Sequence, residues 1–130
     1  MSVLLVAVGG AAGSLLRFWM SGVAQRSVPA TGPWSLFPLG TLTVNVIGCF
    51  LAGVLAGIGE RHGPLSNETR ALLMAGFLGG FTTFSAFANE TVAVWRSGAT
   101  GLAALNVVVS VLVCIAAVAA GRGAIAMVVR

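Results

Sequence analysis

The sequence predicts an all-α membrane protein, a single domain over residues 1–130 with four transmembrane helices. Three observations carry this. Only 8% of the 130 residues are charged and 58% are hydrophobic, with a mean hydropathy of +1.02, whereas a soluble domain has about 25% charged residues. The apolar residues gather into four runs, each close to the roughly 20 residues that a spanning helix needs. The segments between the runs hold the prolines and most of the charges. Lipid is therefore the solvent for most of the chain, which excludes intrinsic disorder, a disulfide scaffold and a soluble enzyme.

The first span runs from Val3 to Ala24, interrupted only by Arg17. Residues 26–38 carry Pro29, Gly32, Pro33, Trp34 and Pro38, which reads as a loop with an interfacial tryptophan. The second span covers Leu39–Ile58. Residues 60–70 form the most polar stretch and read as a loop, with His62 a solvated side chain and Ser66 and Asn67 placed to cap the next helix. The third span covers Ala71–Val94. A Ser97–Gly101 turn leads into the fourth, Leu102–Ala120. No positive region precedes the first apolar run, so it does not read as a cleaved signal peptide.

The charges say less. Seven Arg and three Glu give a net charge of +4 and a pI of about 11.2, but the arginines are scattered singly and form no nucleic-acid face. With four spans, Arg61, Arg70, Arg122 and Arg130 fall on one side of the membrane, and Arg17, Arg26 and Arg96 on the other. That balance gives no clear orientation by the positive-inside rule. It fits a chain with too few charges to read, and equally one that inserts both ways and pairs antiparallel. Cys49 and Cys114 lie in apolar runs and read as small apolar fillers. The glycine pairs Gly9/Gly13, Gly53/Gly57 and Gly76/Gly80 allow close helix approach, within one chain or between two.

Polar residues inside the spans face a partner or a water-filled path. Thr41, Asn45 and Gly48 share a face of the second span. In the third, Gly76–Phe87 contains Gly79-Gly80 and Thr82-Thr83 at its centre. A break there would free carbonyls able to hold a monovalent cation, and an unbroken helix with packing glycines fits the same composition. Phe84 and Phe87, three apart, could turn positive ring edges to an anion or pack as core, and Glu90 follows three further on. In the fourth span Asn106, Ser110 and Cys114 repeat every four residues as a polar track. No nucleophile–base pair or His/Asp/Cys constellation points to enzymatic chemistry.

The runs Gly9–Arg17, Gly40–Phe50 and Gly76–Phe87 together resemble the Fluc/CrcB family of fluoride channels, in order along nearly the whole chain. The resemblance implies a dual-topology antiparallel homodimer, multi-pass in the bacterial inner membrane, with two fluoride pores. It implies that the third helix is broken and that carbonyls there, matching Gly79 and Thr82, hold a structural sodium ion. The family's pore phenylalanines match Phe84 and Phe87, its pore asparagine Asn45, its fourth-helix serine Ser110, and its vestibule arginine Arg17. Glu90 matches an acidic position near the pore. Where relatives can carry Tyr one turn before the fourth-helix serine, this chain has Asn106.

The chemistry agrees. Fluoride is tightly hydrated, so donors must replace its water. Thr41, Asn45 and Ser110 supply neutral amide and hydroxyl donors, which let the ion leave as well as enter. Arg17 would concentrate anions at the mouth. A passive channel needs no proton relay, and the membrane potential suffices to export fluoride from the cytoplasm and relieve its toxicity. The alternative is a small proton-coupled multidrug exporter, which needs an intramembrane carboxylate. Glu90, near the end of its span, is the one available within the third.

Overall fold

A computed structural model describes residues 1–128, and every element in it is helical. Val129 and Arg130 lie outside the described residues, so the orientation count that used Arg130 has no structural counterpart. Helix α1 covers Ser2–Gln25 and α2 covers Leu39–His62. Helix α3 (residues 67–81) opens with an α-turn, Asn67–Thr69, widens into a π-helix over Arg70–Leu78, and closes as α over Gly79–Phe81. Helix α4 covers Phe84–Arg96 and α5 covers Thr100–Val128. Taking α3 and α4 as one span, four stretches are long and apolar enough to cross a membrane. The chain is a multi-pass membrane protein.

Helices extend beyond the spans read from the sequence: α3 begins at Asn67, inside the stretch read as loop, and two further extensions go together. Helix α2 runs through Gly59–His62, which read as loop, and α5 continues eight residues beyond Ala120. Both extensions leave the apolar span, and Glu60 on one pairs with Arg122 on the other. The ion pair gives two polar helix ends a reason to continue side by side. Gly63, with φ of +91°, stops α2 where an L side chain would be strained. Ser66 then caps α3 by accepting the Thr69 N–H at 3.1 Å, as its position in the sequence anticipates.

The helices pack as two parallel pairs, α1 with α3 and α2 with α5. Glycine sets both contacts. A Cβ at Gly9 would overlap the Leu72 carbonyl oxygen and one at Gly13 the Phe77 carbonyl oxygen, while Gly53 and Gly121 stand equally close to α5 and α2. The glycine pairs thus serve packing within the chain. Gln25 joins the two pairs at one end: its Nε2 donates to the Phe37 carbonyl (3.0 Å) and its Oε1 accepts the Gly40 N–H (2.9 Å). That satisfies a donor at the start of α2, where Pro38 has no side chain to cap it. The small interior centres on Val44, Phe81 and Asn106, all essentially inaccessible. Only 11–22% of each span's most apolar window is buried, so most of the helical surface faces lipid or a partner.

Candidate functional site

The third span is broken where the two threonines stand. Thr82 (φ −88°, ψ 155°) and Thr83 (φ −151°, ψ 114°) are extended between α3 and α4. β-Branched side chains favour such a conformation over a helical one, and each threonine also closes a helix end. Thr82 N–H and its hydroxyl both donate to the Leu78 carbonyl, at 2.9 Å each. Thr83 Oγ1 accepts the Ala86 N–H at 3.1 Å and so caps α4.

Asn45 of α2 fixes the break. Its Oδ1 accepts the Thr83 N–H at 2.8 Å and its Nδ2 donates to the Thr83 carbonyl at 3.1 Å. The carboxamide therefore binds this one residue's backbone as a neighbouring strand would. The consequence follows from helix bookkeeping. In a continuous helix Thr83 N–H would reach the Gly79 carbonyl, and Ala86 N–H would reach that of Thr82. Asn45 takes the first donor and Thr83 Oγ1 the second, and the first-turn N–H groups of α4 no longer reach Gly80 and Phe81, so the carbonyls of residues 79–82, Gly79 and Thr82 among them, lose their helical donors. Gly80 lies between them with its carbonyl 3.5 Å from the Ser14 hydroxyl. Gly48, one α2 turn from Asn45, makes room for the kink, since a Cβ there would overlap Thr82 Cγ2.

Beside the break lies a cavity of about 540 Å³, lined among others by Asn45, Gly79, Thr82, Phe84, Phe87 and Ser110. The carbonyl end of α3 and the N–H end of α4 meet at its wall, which sets a region favourable to a cation next to one favourable to an anion. Phe84 and Phe87 stand 5.4 Å apart with a 44° tilt, and Phe84 is 78% exposed in the single chain. Among the described residues no three His, Cys, Asp or Glu side chains converge, so a hard cation here would rely on carbonyl oxygen. The released carbonyls fit that chemistry.

The remaining sequence candidates stand elsewhere. Asn106 is buried between α4 and α5, where its Nδ2 donates to Thr91 Oγ1 (2.8 Å) and its Oδ1 accepts from the Ser110 hydroxyl (3.3 Å). Thr91 in turn donates to the Phe87 carbonyl at 2.7 Å. This chain of bonds connects the cavity-lining Ser110 to Phe87 through the protein interior. Thr41 is buried inside the bundle and Arg17 half-buried on α1, neither on the cavity. Glu90, also off the cavity, keeps Oε2 buried with no hydrogen-bond partner among the described residues. Sequence reasoning marked Thr83 only as half of the Thr-Thr weak point, and did not single out Gln25. The Thr-Thr pair after two glycines carried the signal for the first, and nothing local marked the second.

A family profile described as "CrcB-like protein, Camphor Resistance (CrcB)" matches residues 4–122. The chain is 49% identical over 111 residues to a "Fluoride-specific ion channel FluC" of Methylobacillus flagellatus, covering 85% of this chain and 84% of that protein. It is 49% identical over 118 residues to the protein of the same name in Rhizobium leguminosarum bv. trifolii, covering 91% and 90%. A "Fluoride-specific ion channel FluC 3" of Brucella suis biovar 1 is 42% identical over 124 residues, covering 94% and 90%. An ion channel is not an enzyme.

Proposed function

The chain belongs to the CrcB-like protein family, and from that membership we propose that it is a fluoride-selective channel that lets fluoride leave the cytoplasm passively. The observation that carries this reading is the break at Thr82-Thr83 with its adjoining cavity, where neutral donors and aromatic edges border one space. Fluoride gives up water only where other donors replace it. Asn45 spends one amide hydrogen on Thr83 and keeps the second for an anion. Ser110 holds Asn106 through a long 3.3 Å bond that its hydroxyl can exchange for fluoride. The N–H end of α4 and the Phe84 and Phe87 edges add weak positive potential without a fixed charge, so the ion is not trapped. Arg17 sits off the cavity, suited to gathering anions at a mouth.

The functional unit in this reading is an antiparallel dimer. Gly79 and Phe84 lie on the exposed side of the single chain. In lipid, carbonyls released from the ladder need a protein or ion partner. A second copy brings its own pair, and a sodium ion held by Gly79 and Thr82 carbonyls of both copies meets that need. The ion would supply positive potential beside the anion path and hold the copies together. Thr82→Pro tests the assignment: it removes the Thr82 N–H bond to Leu78 and disfavours the helical conformation of Phe81. The expected result is loss of sodium dependence together with loss of the dimer on size-exclusion chromatography. An active, sodium-insensitive dimer would show that the cation is held elsewhere.

Ion efflux from liposomes containing the purified protein tests the function. Fast fluoride efflux without chloride efflux is expected. Silence for both ions from folded protein overturns it, and proton-driven uptake of an organic cation, abolished by Glu90→Gln, would establish an exporter instead. Phe84→Ile and Phe87→Ile should each lower fluoride efflux about 2- to 10-fold while the dimer persists, since an aromatic contact contributes about 0.5–1.5 kcal/mol. Unchanged efflux in both variants removes the rings from the mechanism.

A further inference from the structure

Helices α2 and α5 run parallel at backbone contact. A Cβ at Gly53 would overlap the Val118 carbonyl oxygen, and one at Gly57 would lie 3.3 Å from Arg122 Cα. Carried one turn toward the break, the same register sets Cys49 opposite Cys114. Both thiols are free and half-buried, and both line the cavity. Cys49 is one turn from Asn45 and Cys114 one turn from Ser110, so the pair borders the same space as the two proposed fluoride donors. The Met74 thioether lines that cavity too. The sequence reading of the cysteines as apolar fillers accounts for their burial. It does not account for two thiols meeting from different helices at one cavity wall.

We propose that Cys49 and Cys114 form a two-thiol site for a soft, thiophilic metal cation such as mercuric ion, and that an ion bound there closes the cavity to fluoride. Thiolate sulfur selects soft cations over hard ones. Zinc is disfavoured, because a structural zinc site takes four ligands and no third His, Cys, Asp or Glu converges on the pair among the described residues. A soft dication with two linear sulfur ligands has no such need. Two S–H bonds and the two mercury–chloride bonds of mercuric chloride break, two sulfur–metal bonds form, two protons and two chloride ions leave, and no electron is transferred. The product carries no net charge, which suits an apolar cavity. The binding half of the proposal stands on the thiol geometry, and the closure half rests on this cavity being the fluoride path.

The experiment titrates the reconstituted full chain with mercuric chloride. It follows fluoride efflux and, separately, the ultraviolet absorption of mercury–thiolate bonds. The expected result is one mercury bound per chain, with efflux blocked in step and restored by excess dithiothreitol. Cys49→Ala and Cys114→Ala, each compared with its own metal-free efflux, should each bind at least about 100-fold more weakly, since losing one of two linked ligands forfeits the effective concentration. Single variants that bind as tightly as the parent overturn the site. Full binding without block overturns the closure. A parent chain that binds one mercury through both thiols but never conducts fluoride upholds the site and overturns the channel reading alone.

Discussion

Asn45→Leu is expected to lower fluoride efflux at least tenfold and to lower the protein's melting temperature in detergent at the same time. Leucine keeps the branched four-heavy-atom shape of the asparagine side chain, in a bulkier form, and has no hydrogen-bonding atoms. What disappears is the pair of bonds to Thr83, at 2.8 and 3.1 Å. An unsatisfied buried backbone group costs about 1–3 kcal/mol, and Asn45 satisfies one donor and one acceptor. Typical side-chain bonds between membrane helices are weaker, averaging about 0.6 kcal/mol, because the groups find other partners when released. Here the alternative partner is the damaging one. Freed Thr83 N–H can return to the Gly79 carbonyl, which draws that oxygen back into the helix and away from the proposed cation site. A tenfold loss in rate needs about 1.4 kcal/mol, well within this range. The paired readout separates two roles. If Asn45 only contacts fluoride, efflux falls and the melting temperature does not. If it holds the break, both fall, and raised sodium recovers part of the efflux.

The four spans were legible because lipid punishes exposed polar backbone uniformly, so composition alone marks where helices must run. The break was legible only as a possibility. Gly79-Gly80 and Thr82-Thr83 weaken a helix, yet what breaks it is Asn45, 38 positions away in sequence. No periodicity within one span reports a bond to another. The same limit explains Asn106 and Thr41. Four-residue spacing put Asn106 on one face with Ser110, but a shared face does not say whether that face meets a cavity or the neighbouring α4. The π-helical widening of Arg70–Leu78 was also illegible, since nothing in that run distinguishes it from an α-helical one. Helix ends erred toward short spans for a different reason: Glu60 and Arg122 lie past the apolar runs, and their pairing across α2 and α5 is not visible in either run alone.

Gly13→Ala is expected to reduce folded, active protein severely, whereas Gly22→Ala on the same helix is expected to leave it unchanged or slightly stabilised. By propensity alone both changes favour the helix, by about 1 kcal/mol. Their surroundings decide the outcome. Nothing lies within 4 Å of a Cβ built at Gly22. At Gly13 the new Cβ would overlap the Phe77 carbonyl oxygen and lie 2.9 Å from the Phe81 nitrogen, and neither backbone atom can turn aside. Helix α1 must then move off α3, at a typical overpacking cost of about 1–3 kcal/mol. Phe77 and Phe81 stack at 5.8 Å, and Phe81 ends α3 directly before the break, so the displacement is passed to the residues that line the cavity. Melting temperature and fluoride efflux, measured side by side for the two variants, check this. Equal behaviour would mean that α1 does not seat the broken helix. A stable Gly13→Ala protein with lost efflux would mean that it seats the break more tightly than it seats the fold.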